Sequence, residues 1–148
     1  MANTTDNLQA AFAGESQANR KYLAFGEKAE KEGYAQVAKL FRAAAAAETV
    51  HAHAHLRTLK GVGSTADNLK AAISVETFEF KTMYPAMIAD AEAEGEKAAL
   101  RSFTYANDVE KIHANLYTNA LEKMGSLEEV DYYVCNVCGY TCESEPPD

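Results

Sequence analysis

The chain has 148 residues, a net charge of -8 and 47% hydrophobic residues, enough for one domain with a core and a small appendage but not for two full domains. No Lys/Arg-rich run occurs, which argues against a nucleic acid or an anionic membrane surface as partner, since both need clustered positive charge. Met1 to Asp6 form no basic or apolar leader and no stretch approaches the roughly 20 apolar residues of a membrane span, so a cytoplasmic protein is expected.

Thr4, Thr5 and Asp6 are N-cap types ahead of Leu8, Phe12, Tyr22, Leu23 and Phe25, and predict a first helix over about 5–32, stopped by Gly33. A second helix is expected after Tyr34, carried by Val37, Leu40, Phe41 and the alanines 43–47, and ending at Gly61-Val-Gly63. Ser64 or Thr65 caps a third, with Leu69, Ile73, Phe80, Met83 and Ile88 as its apolar side and an end near Gly95. Pro85 falls inside it and should cost a hydrogen bond and bend it. A fourth helix is expected over about 96–124, closing at Gly125. All three cysteines, Cys135, Cys138 and Cys142, lie in the last fourteen residues, a distribution that suits a metal knuckle rather than a disulfide framework.

The two halves repeat. Ala29-Glu-Lys-Glu-Gly33 matches Ala91-Glu-Ala-Glu-Gly95 at an offset of 62, and the same offset pairs Tyr22 with Tyr84, Phe41 with Phe103, Glu48 with Glu110 and His51 with His113. Glu15 pairs with Glu76 at an offset of 61, so the second half holds one extra residue between Glu76 and Tyr84. An extra residue inside a helix is the sequence form of a π-bulge, and such bulges gather at functional sites. Glu79 beside it has no acidic counterpart in the first half, and the bulge is expected to place this additional carboxylate.

Glu48-Thr-Val-His51 and Glu110-Lys-Ile-His113 each put a carboxylate and an imidazole on one helical face. Counting from the Gly33 turn places Glu15 and Glu48 about 27 and 22 Å along a hairpin, and counting from Gly95 places Glu76 and Glu110 about 28 and 22 Å along another. Two such hairpins face to face would gather Glu15, Glu48, His51, Glu76, Glu79, Glu110 and His113 in a bundle core. Uncompensated carboxylates cannot share an apolar interior, so a cation is required. Oxygen-rich ligation with one imidazole per ion suits iron or manganese, with zinc able to accept the same donors, and the set is the di-iron carboxylate pattern of four-helix bundles. Tyr22 and Tyr84, two turns from Glu15 and Glu76, are placed to hydrogen-bond ligand carboxylates. His53 and His55 have no Glu three residues before them and no counterpart in the second half, and read as structural or surface residues.

The tail, Tyr132-Tyr-Val-Cys135-Asn-Val-Cys138-Gly139-Tyr140, is a Cys-x2-Cys knuckle in which backbone N–H groups point at sulfur. Together with Phe12-Ala-Gly-Glu15-Ser-Gln, Glu76-Thr-Phe-Glu79, Met83-Tyr84-Pro85 and the two Glu-x-x-His phrases, it makes the chain resemble the rubrerythrins over residues 5–147. The resemblance implies an all-α, ferritin-like four-helix bundle over 1–125 with two irons, and a rubredoxin-like module over 126–148 holding a third at Cys135 and Cys138. It implies that Glu48 and Glu110 bridge the two irons, with Glu15 on one and Glu76 and His113 on the other. Glu79 and His51 are then alternative ligands exchanged with oxidation state. A four-sulfur site needs a second cysteine pair. The expectation is a shortened C-terminus, with Cys142 or a partner chain as other ways to complete the site.

The implied activity is peroxidase chemistry on hydrogen peroxide, with Glu79, His51, Tyr22 and Tyr84 at the reacting centre. Electrons would come through the rubredoxin-type iron or an external rubredoxin or reductase, ultimately from NAD(P)H. The alternatives are ferroxidase or iron storage and a metal-free structural bundle. Residues 61–66 reach only about 20 Å, too short for a ferritin-like crossover of about 30 Å, which predicts a homodimer with exchanged hairpins.

Overall fold

Gly33 and Gly95, which punctuate the sequence, also divide the structure. In the computed structural model, which describes residues 3–144, Thr4–Lys31 form helix α1 and Ala35–Thr58 helix α2. Helix α3 (Thr65–Phe78) runs through a π-helical turn (Glu79–Met83) into α4 (Tyr84–Glu94), and α5 spans Lys97–Glu122. Strands β1 (Tyr132–Val134) and β2 (Thr141–Glu143) pair antiparallel, with Tyr133 opposite Cys142. Counting α3, the π turn and α4 as one interrupted helix, these are the four expected helices and the expected knuckle. Among the described residues no helix is long and apolar enough to cross a membrane. Residues 145–148, the end of the expected 126–148 module, lie outside the described residues.

Two compact units result, divided between Val62 and Gly63. In the first, α1 and α2 form a hairpin with a seam of small residues. Ala38, Ala45 and Ala52, seven apart on α2, and Gly26 and Ala29 on α1 are buried, a heptad spacing that lets two helices run close together. Asn19 is the buried polar residue of this seam; its Nδ2 donates to Ala45 O at 2.7 Å and to Thr49 Oγ1 at 2.8 Å. In the second unit α3, α4 and α5 form the matching hairpin, with Ala91, Val109 and Ala114 buried.

The repeat extends to the backbone. Gly33 at φ +86° and Gly95 at φ +74° occupy the left-handed region that glycine enters without a Cβ penalty. Around them Tyr34 N–H donates to Ala29 O at 2.8 Å, and Glu96 N–H to Ala91 O at 2.9 Å, the same six-residue helix-end motif at corresponding positions. Two boundaries differ from expectation. The N-cap of α1 is Asn3, which exchanges hydrogen bonds with Asp6 in a capping box. Helix α2 stops at Thr58, with Lys60 at φ +56° taking the left-handed position and Gly61 N–H donating to Leu56 O at 2.9 Å. A Cβ on Gly61 would overlap the end of the Leu56 side chain, which would have to shift to make room.

The expected bulge is the π turn. Tyr84 N–H donates to Glu79 O, five residues back, and Pro85 opens α4 just beyond. The widened turn accommodates the extra residue where proline's missing donor already interrupts the ladder.

Candidate metal centre

Each hairpin carries one set of three metal-binding groups. On the first, Glu15 from α1 meets Glu48 and His51 from α2; on the second, Glu76 from α3 meets Glu110 and His113 from α5; within each set the donor atoms lie within 4.8 Å of one another. The internal geometry is nearly the same. His51 Nδ1 is 2.9 Å from Glu48 Oε2 and 3.9 Å from Glu15 Oε1. His113 Nδ1 is 2.9 Å from Glu110 Oε2 and 3.7 Å from Glu76 Oε1. Helical i, i+3 spacing makes the Glu–His pair, and the hairpin brings the second carboxylate to the same level.

Charge in both sets is unbalanced. A hydrogen bond with Glu48 raises the Glu15 carboxyl above its usual range, with burial adding to it, and Glu48 is lowered by that bond and by His51. The two carboxylates are thus in direct hydrogen-bonding contact with each other. Burial pushes Glu76 up to about 8, helped by its hydrogen bond with Glu110 and by the charges of Glu110 and Glu79. A divalent cation between the carboxylates would relieve their repulsion and meet the imidazole Nδ1, so the donor set fits a metal.

Six of the seven expected bundle ligands fall in these two sets. Glu79 stands outside them, at the start of the π turn one helical turn from Glu76, with its carboxyl raised by burial and by Glu110. The Tyr84 phenol is raised by burial and by the charges of Glu110, Glu79 and Glu76, and its ring packs on Phe103 at 6.3 Å. Tyr22 packs against Phe25 and Phe41. Among the described residues neither phenol donates a hydrogen bond to a carboxylate. His53 lines a surface pocket with Phe12 and Asn19, whereas His55 acts on the charge of Glu15. His55 is one turn beyond His51 on α2, so its nearness follows from i, i+4 spacing.

In the knuckle Val137 N–H donates to Cys135 Sγ at 3.4 Å. Backbone N–H groups of Cys138 and Val137 lower the Cys135 thiol, the local setting of a metal-binding thiolate. Cys142 turns its thiol to Ser144 O, and among the described residues the cysteines form no group of three. Thr141 of β2, which no sequence motif marks, reaches the second set: its Oγ1 is 3.0 Å from His113 Nε2.

The sequence profile of the Rubrerythrin family matches residues 6–121. Rubrerythrin-2 of Clostridium acetobutylicum is 37% identical, the alignment covering 97% of this chain and 88% of that protein. Nigerythrin of Nitratidesulfovibrio vulgaris is 33% identical, covering 98% of this chain and 79% of the relative. Among solved structures, fully reduced, all-ferrous nigerythrin aligns with a TM-score of 0.57 at 33% identity, over 98% of this chain and 79% of that one. The fold class is therefore ferritin-like, with a rubredoxin-like knuckle.

Proposed function

Because the chain belongs to the rubrerythrin family, whose members are di-iron oxidoreductases of oxidative-stress defence, we propose that it is a non-haem di-iron peroxidase that reduces hydrogen peroxide to water. The observation that carries this reading is one Glu/Glu/His geometry present on both hairpins, each set needing a cation to balance it. Glu48 and Glu110 are the bridging candidates, Glu15 and Glu76 the terminal carboxylates, His51 and His113 the imidazole ligands. Held by these residues, a ferrous pair would supply the two electrons that, with two protons, turn hydrogen peroxide into two waters. The four set carboxylates neutralise the ions. Glu79, outside the tight set but one turn from Glu76, is the ligand free to move and to carry a proton. Tyr84 keeps its phenol proton and stands toward the same carboxylates.

Cys135 and Cys138 would hold the electron-delivering iron, or an external rubredoxin or reductase fed by NAD(P)H would act in its place. The domain division that goes with this is a di-iron bundle over 1–125 and a rubredoxin-like part over 126–148, in a cytoplasmic protein.

Family members are homodimeric, and the finer reading is an exchanged-hairpin dimer in which each centre takes one set of three from each chain. The link supports it. Between Thr58 and Thr65 the chain reaches at most about 25 Å, against about 36 Å for a helix of the 24 residues of α2. The exposed apolar side chains of the first hairpin, Phe25, Val37, Leu40 and Val50, also ask for a partner surface.

Anaerobic stopped-flow mixing of the iron-loaded, reduced protein tests the activity. Peroxide should oxidise it much faster than oxygen does. Equal rates with both, accompanied by growth of a ferric mineral, would instead assign ferroxidase and storage chemistry.

A further inference from the structure

His113 is held on both sides of its ring, and one of the holds comes from the knuckle. Nδ1 faces Glu110 Oε2 at 2.9 Å, while Nε2 lies 3.0 Å from Thr141 Oγ1 on β2. A threonine hydroxyl has one hydrogen, and that of Thr141 is given to Gly139 O at 3.0 Å. Toward the imidazole the oxygen can therefore only accept. Nε2 carries a hydrogen, so Nδ1 is the nitrogen that a metal can use once the hydrogen between it and Glu110 Oε2 leaves.

Gly139 is itself fixed. It sits at φ +84°, and its N–H donates to Cys135 O at 2.9 Å. A Cβ added to it would lie in ordinary van der Waals contact with Val109 Cγ1 of α5, at 3.9 Å. The turn carrying Cys135 and Cys138 thus docks on α5 and presents one oxygen lone pair to His113. The first hairpin has no counterpart: His51 has a side chain 55% exposed against 28% for His113, and among the described residues no hydrogen bond reaches its Nε2.

We infer that Thr141 is a positioning residue for His113, fixing the tautomer and ring orientation in which Nδ1 faces the metal. The inference rests on the metal-centre reading above and goes beyond it. It makes His113 the anchored imidazole and His51 the free one, and it makes the knuckle a determinant of how tightly the second set holds its ion. Outer partners of a metal-bound histidine commonly change affinity by about 10–100-fold.

The test follows the ring nitrogens of His113 by 15N NMR in the full chain stripped of metal and then titrated with Zn2+. Wild type, Thr141→Val and Thr141→Ser are compared, because valine keeps the shape and serine restores the hydroxyl. Wild type and Thr141→Ser should show an Nε2–H ring that takes zinc at Nδ1. Thr141→Val should lose the fixed tautomer and bind zinc at this set roughly 10–100-fold more weakly, with backbone resonances of β1 and β2 in place. If Thr141→Val keeps the wild-type tautomer and affinity, or Thr141→Ser fares as badly as valine, the role of Thr141 is overturned while the metal centre stands. If zinc leaves His113 of the wild type unmoved, the metal reading itself fails and the inference falls with it.

Discussion

The first hairpin leaves its histidine more than half exposed, at 55%, with only carboxylates as partners; the second holds the corresponding histidine at 28% exposure between a carboxylate and a threonine. The frames are otherwise alike, down to the glycine turns at Gly33 and Gly95 and the 2.9 Å Glu–His contacts. Duplication therefore built the ligand set, and departures from it differentiate the halves. The second half has the π turn, Glu79 and the docked knuckle, and the first has the more open ligands. On the reading proposed above, the ligands that stay would include His113, held on both sides of its ring, and those that move would be Glu79 of the second half and His51 of the first.

The likeness breaks most severely if one set is dispensable. Glu110→Ala and Glu48→Ala should each lower iron retention by more than about 100-fold, beyond what loss of an outer partner does, read by metal analysis after dialysis. Loss from one variant only would mean that the other set is dispensable. The asymmetry is sharpened by Glu79→Ala, which should slow peroxide-driven oxidation at least about tenfold while leaving metal content intact. An unchanged stopped-flow rate would remove Glu79 from the reaction.

A stability comparison separates the two seams. Asn19→Ala removes the hydrogen bonds that Nδ2 donates to Ala45 O and Thr49 Oγ1 in a buried site, leaving Ala45 O with the Thr49 hydroxyl. It should cost about 1–3 kcal/mol in denaturant unfolding. Asn107 takes the Ala45 position in the second hairpin, at an offset of 62, and its buried Oδ1 has no hydrogen-bond partner. Asn107→Ala should therefore be close to neutral or stabilising. Equal losses at the two positions would contradict this difference.

A separate comparison concerns pH in the metal-free protein. Glu76 is pushed up to about 8 from 4.5, chiefly by burial. A raised carboxyl binds its proton more tightly in the folded chain, so it imposes no penalty below the unfolded value. Its penalty grows from pH 4.5 to about 8 and is constant above. Urea midpoints should thus fall between pH 5 and 8, and Glu76→Gln should flatten that part of the profile. Bound metal should reverse the trend, because the proton must leave for the ion to enter.

Much of this was legible in the residues. One extra position between Glu76 and Tyr84 located the π turn, because helix registry must absorb an insertion somewhere and Glu79 marked where. The Glu-x-x-His spacing and the glycine turns located both metal sets. Caps were less legible: Asn3, Thr4, Thr5 and Asp6 are all capping types, and only side-chain reach selects Asn3 with Asp6 answering it. The Thr141–His113 contact spans 28 residues across a tail with no periodic pattern, so nothing local announces it. Asn19 was equally silent, since its partners are a backbone carbonyl and a threonine on the other helix.

We propose that the two sets of three meet as one two-iron centre. Mössbauer spectroscopy of the iron-loaded, oxidised protein, with iron counted per chain, tests it most directly. The account predicts two bundle irons per chain forming a spin-coupled, EPR-silent ferric pair. Two magnetically isolated high-spin ferric ions at the same loading would contradict it.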